Sequence, residues 1–287
     1  MKKILIACIS AIVILSLVGC GTSEKTEVKG NKAESEAEAQ IAQSIYSWNK
    51  ELWDNPDALN ELSSYELTRI YQGLYPADLQ SEEAATLVKN MAAKGVEVAY
   101  LSGDKSWVDS DTVIDWSVKL LEEYNAGVGS NAKISTICYD CEFYGEEGHD
   151  TEEYFRTFVD MMKPVIVYAH SIDVKVIMVL PYWLAETSEE CFREMATLVD
   201  EISCPVFFVG EELNKIQLPY TICKETGCKL ELVLETQPPN DTWGVTEYNT
   251  YWVKGKDALM EVVSSIKETY PDIGIGYHEL TTLLELD

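Results

Sequence analysis

Positive charge is scarce in this 287-residue chain: 22 Lys and Arg stand against 49 Asp and Glu, for a net charge of −27. No segment gathers a basic stripe, which excludes a dedicated nucleic-acid binder. Histidine is sparse as well, with three residues. No glycine-rich loop follows the first strand pattern, and an open doubly wound sheet would usually carry one there. The apolar run Ile4 to Val18 is short for a bilayer span, and no positive cluster follows it. What the chain has instead is 46% hydrophobic residues, and aromatic residues make up 10% of the whole. That is enough apolar material for a folded core and excludes a largely disordered chain.

Lys2 and Lys3 ahead of the apolar run, and the small residue Gly19 at its end, have the layout of a secretory signal. The ending Leu17-Val18-Gly19-Cys20 resembles a bacterial lipoprotein signal, which implies acylation of Cys20 and a membrane partner reached through that lipid. Residues 1–19 are read as the signal. Residues 20–40, rich in Gly, Ser, Thr, Lys, Glu and Ala, are read as the lipidated cysteine and a flexible tether. Removing residues 1–19 takes away two lysines, so the remainder carries 20 − 49 = −29 and would be repelled by anionic headgroups. The expected location is extracytoplasmic, anchored by lipid.

Residues 41–287 alternate short apolar runs with longer amphipathic ones. The strands are read as Ser44 to Trp48, Thr68 to Leu74, Val96 to Leu101, Ile134 to Phe143, Val174 to Leu180, Cys204 to Val209, Lys229 to Glu235 and Ile273 to His278. Helical patterns fall at 56–64, 82–93, 112–124, 152–170, 189–198 and 258–270, with a weaker one at 213–226 interrupted by Pro219. Ser81 and Asp111 are read as N-caps, and Gly95 as a helix stop. Eight strands alternating with helices in this length predict the α/β class and a (β/α)8 TIM barrel, with an open α/β sheet as the rival.

Six cysteines lie beyond Cys20. Cys223 and Cys228 are the nearest candidates for a local disulfide, while Cys138, Cys191 and Cys204 sit among apolar residues as buried thiols would. Cys138 and Cys141 fall an odd number apart on a strand and so face opposite ways, which suits no metal knuckle. Neither a metal nor another cofactor is expected.

In a barrel, function collects at the C-terminal strand ends. Those ends are rich in carboxylates and aromatics here. Asp140 and Glu142, two apart on the fourth strand, are expected to share a face with Cβ atoms roughly 6 to 7 Å apart. Such proximity separates the titrations of two acids, as acid/base work requires. Glu235 ends the seventh strand and is the third catalytic candidate. Tyr144, Tyr182, Trp183 and Trp107 offer faces for stacking on sugar rings, and Glu211, His278 and Tyr71 complete the substrate-binding candidates. Gly274 and Gly276 leave room in the barrel beneath His278. A solvated acid pair and rim packing of the aromatics are the plainer readings.

The segments YSWN, VAYLSGD with Trp107, YDCEFY, LPYWL, LVLET and IGIGYHE together resemble a group of poorly characterised bacterial secreted or lipoprotein domains with a glycoside-hydrolase-like barrel. The likeness runs over about residues 43–281. The fourth-strand ending is in turn similar to that of the chitinase-like hydrolases. That resemblance implies that Glu142 is the general acid, and that Asp140 orients a substrate acetamido group acting as internal nucleophile. The chain departs from the chitinase pattern at Cys138, where an earlier Asp is expected, and at Phe208-Val209-Gly210-Glu211, where a Met-x-Tyr is expected; Phe143 replaces the proline of the nearer bacterial group. The expected function is therefore hydrolysis of a glycosidic bond in a polysaccharide or glycan at the cell surface. Non-catalytic carbohydrate binding and a structural or interaction lipoprotein are the alternatives.

Overall fold

The computed structural model describes residues 41–287, apart from Val108 and Trp243. The signal, Cys20 and the tether expected from the sequence lie outside the described residues. Eight parallel strands close on themselves in chain order: β1 (Gln43–Ser47), β2 (Arg69–Gly73), β3 (Glu97–Ser102), β4 (Thr136–Tyr139), β5 (Lys175–Val179), β6 (Glu201–Pro205), β7 (Lys229–Glu235) and β8 (Gly274–His278). The seam is made by β8 pairing with β1, Ile45 opposite Tyr277. This is a (β/α)8 TIM barrel.

The outer layer contains α1 (Glu82–Ala93), α2 (Lys119–Gly127), α3 (Glu152–Ser171), α4 (Glu189–Leu198), α5 (Gln217–Thr226), α6 (Lys256–Thr269) and α7 (Leu280–Leu284). Several begin where a side-chain oxygen can take an otherwise unpaired backbone N–H. Ser81 accepts from Ala84 at the start of α1, and Ser188 from Cys191 at the start of α4. The cap expected at Asp111 is Asp109, which accepts from the Thr112 N–H at 2.8 Å and opens a short helical lead into α2. Between β1 and β2 a single α-helical turn, Glu51–Asp54, precedes two 3-10 turns, Pro56–Asn60 and Ser63–Tyr65, where one helix was expected over 56–64.

The period of two along each strand sorts the side chains into two compartments. Ile45, Ile70, Val98, Ile137, Val176, Ile202, Leu232 and Ile275 face outward and pack with the helices. Tyr46, Tyr71, Ala99, Leu101, Cys138, Ile177, Val179 and Val233 fill the barrel. Cys138 and Cys141 accordingly fall in different compartments. All six cysteines of the barrel are free thiols, including Cys223 and Cys228, the expected pair.

Two strands depart furthest from expectation, and both matter for the mouth. β6 begins at Glu201 rather than Cys204: Glu201 is an inward acid neutralised by Arg69, so charge disguises the start of the strand. Phe207 and Phe208 thereby leave the sheet and enter the loop above it. β4 ends at Tyr139, before the two acids predicted to alternate along it.

Candidate active site

At the C-terminal ends of the strands lies a cavity of about 930 Å³. Asp140, Glu142, Tyr144, Tyr182, Trp183, Glu235 and His278 all line it, as do Trp48, Phe207 and Glu279. Seven of the ten expected site residues thus converge from β4, β5, β7 and β8.

Asp140 is the first residue past β4. Its N–H donates to the Ser102 carbonyl at 2.9 Å, extending the β3–β4 ladder by one bond. The opposing residue is Gly103, and a Cβ placed there would stand 1.9 Å from the Asp140 carbonyl oxygen. Only glycine permits this approach, so Gly103 helps to set where Asp140 stands. Two residues on, Glu142 takes φ = 41°, a left-handed conformation that costs a non-glycine residue on the order of 1 kcal/mol. Its carbonyl accepts from the Gly145 N–H at 2.8 Å, and Phe143 stacks on Phe158 at 4.2 Å, so the turn is tied at both ends. The strand alternation that predicted a shared face therefore stops short of Glu142; the loop brings it to the same cavity by another route.

No hydrogen bond from the described residues reaches either the Asp140 or the Glu142 side chain. Burial first, and then the neighbouring charge of Glu142, push the Asp140 carboxyl up to about 7, against the opposing pull of His278. Near neutral pH this group exchanges a proton readily. Glu142 is exposed at the rim.

Glu235 differs. It is buried, and its Oε1 accepts from the backbone N–H groups of Thr236 and Gln237 at 2.9 and 2.8 Å. His278 Nδ1 stands 3.0 Å from its Oε2. These bonds fix the carboxylate against the end of β8. Burial disfavours the charged His278 ring, but the hydrogen bond and charge of Glu235, followed by the charges of Asp140 and Glu279, outweigh it and raise His278 above its ordinary value.

Tyr144 and Trp183 meet edge to face at 5.1 Å, forming one wall of the cavity. Tyr182 and Trp183 come from the first turn of a helix, Tyr182–Thr187, that the strand-like sequence LPYWL concealed. Trp48 projects from the end of β1 with 43% of its surface exposed, and its Nε1 donates to His278 Nε2 at 3.3 Å. Its place at a strand end was visible in the sequence, but no partner marked it as part of the site.

Three expected site residues are elsewhere. Tyr71 faces into the barrel, fully buried, with its hydroxyl donating to Glu231 at 3.1 Å. Trp107 is half-buried against the outer core. Glu211 accepts from the Asn214 side chain at 2.9 Å outside the cavity. Its neighbour Glu212 is the buried acid, and its oxygens are occupied by the Tyr251 hydroxyl and the Gly210 N–H. Adjacent acids cannot be ranked from sequence when only the fold decides which one turns inward. Among the described residues, no three His, Cys, Asp or Glu converge as metal ligands.

No family model and no curated protein matches the chain. Solved structures do. A GH18 chitinase from Pseudoalteromonas aurantia is 11% identical, with a TM-score of 0.53 over 84% of this chain and 94% of that one. A Group IV chitinase from Ostrinia furnacalis, solved with allosamidin, is 9% identical with a TM-score of 0.55, over 85% and 93% of the two chains. The spore cortex-lytic enzyme SleL of Bacillus megaterium is 9% identical with a TM-score of 0.51, over 86% and 74%. At these identities the likeness is one of fold: the chain has a barrel of the kind these glycan-acting hydrolases use.

Proposed function

We propose that this protein hydrolyses a glycosidic bond, with Asp140 and Glu142 as the proton-handling pair. One observation carries the reading. Two carboxyls without a donor among the described residues face a cavity walled by aromatic rings, and burial raises one of them to about 7. Aromatic faces suit the apolar faces of sugar rings, and unengaged carboxyls accept from sugar hydroxyls. An acid kept from water without a partner is costly, so the place of Asp140 at a cavity is a mark of use.

Asp140 stores the proton, and Glu142, at the rim, passes it to the leaving oxygen as the glycosidic C–O bond breaks. Water then adds to the anomeric carbon, and its proton returns to the pair. Glu235 stabilises the positive charge that develops on the sugar, or accepts the bond to it as nucleophile; its spare acceptor capacity lies on Oε2, the oxygen free of backbone donors. Non-catalytic glycan recognition is the second reading. It is favoured by the neutral, fully buried Cys138 beneath Asp140, which gives the pair no third carboxyl to exchange with.

The test is release of fluorophore from 4-methylumbelliferyl N-acetylchitooligosaccharides and gluco-oligosaccharides. Glu142→Gln should lower kcat/KM by about 10²- to 10⁴-fold with glycan binding retained. Turnover in Glu142→Gln equal to that of the parent protein removes Glu142 as the acid; binding without turnover in the parent supports recognition alone. The proposal also places the barrel outside the cytoplasm, lipid-anchored through Cys20. The support here is the sequence of residues 1–40. Labelling with a palmitate analogue should be lost in Cys20→Ala, and labelling that persists contradicts the anchor.

A further inference from the structure

His278 joins two residues that come from opposite sides of the barrel seam. Its Nδ1 faces Glu235 on β7 at 3.0 Å, and its Nε2 faces the indole Nε1 of Trp48, beyond β1, at 3.3 Å. An indole N–H donates and cannot accept. Nε2 must therefore be the bare nitrogen, and the ring's single proton lies on Nδ1, donated to Glu235. Glu235 is held in turn by the Thr236 and Gln237 N–H groups. A continuous chain of bonds thus runs from the cavity wall to the backbone of the β7 loop.

We propose that Trp48 forms one wall of the sugar subsite, and that His278 is a positioning residue, a neutral bridge that aligns Trp48 with Glu235. The proposal rests on the hydrolase or glycan-binding reading only for the ligand; the bridge itself is independent of it. Trp48 suits the wall because its indole lines the cavity, stays 43% exposed, and has its one polar atom anchored from behind. The ring of Tyr46 supports His278 from below at 5.5 Å, edge to face, and Phe207 flanks it at 5.8 Å.

The bridge has two states. An imidazolium offers two donors and no acceptor, so protonating His278 breaks the bond to Trp48 while strengthening that to Glu235. Among the described residues, the charged groups around the ring are Glu235 from β7, Asp140 beyond β4 and Glu279 next in the chain, with the Tyr46 ring of β1 packed against it. The three acids favour the charged ring, whereas the Trp48 bond favours the neutral one. The acids prevail and raise the ring above its ordinary value, so Trp48 is released on the acid side of the titration.

The experiment is 15N NMR of histidine-labelled protein, with His278→Gln assigning the resonances against His149 and His170. Above its midpoint His278 should show a protonated Nδ1 and a bare Nε2. In Trp48→Phe the proton should stay on Nδ1, because Glu235 still accepts it, and the midpoint should rise by about half a pH unit, because a donor that favours the neutral ring is gone. A proton on Nε2 in the parent protein, or an unchanged midpoint in Trp48→Phe, overturns the bridge. Calorimetric titration with N-acetylchitotetraose and cellotetraose tests the wall. Trp48→Phe should weaken binding of whichever binds the parent by about tenfold, and His278→Gln should weaken it less. Unchanged binding in Trp48→Phe, or no binding of either probe by the parent, overturns the subsite. Turnover is not read in this experiment, so a failure of the hydrolase reading shows separately in the fluorophore assay.

Discussion

The barrel contains two buried or half-buried carboxyls raised above the usual carboxylate range, one in its interior and one at its mouth, and they are built differently. Glu231, on β7, is fully buried, and its oxygens accept from the hydroxyls of Ser44 at 2.5 Å, Ser203 at 2.7 Å and Tyr71 at 3.1 and 3.2 Å. Burial and the charge of Glu201 raise it, while Arg69 and the hydroxyls pull it down. Arg69 itself donates to both oxygens of Glu201 at 3.0 Å and to Glu97 at 3.0 Å. Gly276 completes the arrangement, since a Cβ there would lie 2.7 Å from a Glu231 oxygen. Asp140 has the same kind of shift and none of these donors. The difference separates a carboxyl that the fold uses to fill and cross-link the barrel from one that the fold leaves available at the mouth. A raised pKa by itself does not distinguish them; the count of donors does.

Truncating each to alanine should break the symmetry most strongly. Glu231→Ala removes a side chain from the packed interior and strands three hydroxyls without their acceptor, so it should cost about 3 to 5 kcal/mol in chemical denaturation. Stability within about 0.5 kcal/mol of the parent would mean that the network contributes nothing to the fold.

Asp140→Ala should do the reverse. A carboxyl whose folded-state pKa lies above its unfolded one binds the proton more tightly when folded. Below about pH 4 both states are protonated and the group contributes nothing through its charge. As pH rises from about 4 to about 7 the folded state loses stability, and the penalty is complete above that range. Asp140→Ala should therefore gain about 1 to 3 kcal/mol over the parent at about pH 8, and little at about pH 4, while glycan turnover is lost. Thermal melts of both proteins across that range check it, and a variant less stable at every pH would return Asp140 to a structural role.

The same contrast explains what the sequence disclosed. Outward strand positions such as Leu230, Leu232 and Leu234 follow the period of two, and the eight-strand count and closed barrel were legible from such runs. The glycines of β8 were readable as space beneath His278, and the structure fills that space with the Glu231 carboxyl. Polar inward residues were harder: Glu201 fell outside the expected sixth strand, and its partner Arg69 is 132 residues away. Tyr71 looked like a rim aromatic for the same reason, since only the closed barrel places Glu231 against its hydroxyl. Asp140 and Glu142 were singled out by spacing, and both line the cavity, although Glu142 reaches it through a left-handed turn rather than a strand. Trp48 and the Tyr182–Thr187 helix depend on contacts across the mouth and left no local pattern.

The most direct test of the central claim, that the mouth holds a proton-bearing acid whose state depends on Glu142, is to titrate the aspartates by carboxyl 13C NMR with selective aspartate labelling. Asp140→Asn supplies the assignment, and the glutamates, Glu231 included, stay silent. Asp140 should titrate at about 7 in the parent protein and move toward the ordinary carboxylate range in Glu142→Gln. An Asp140 that titrates at about 4 in both proteins would contradict the account.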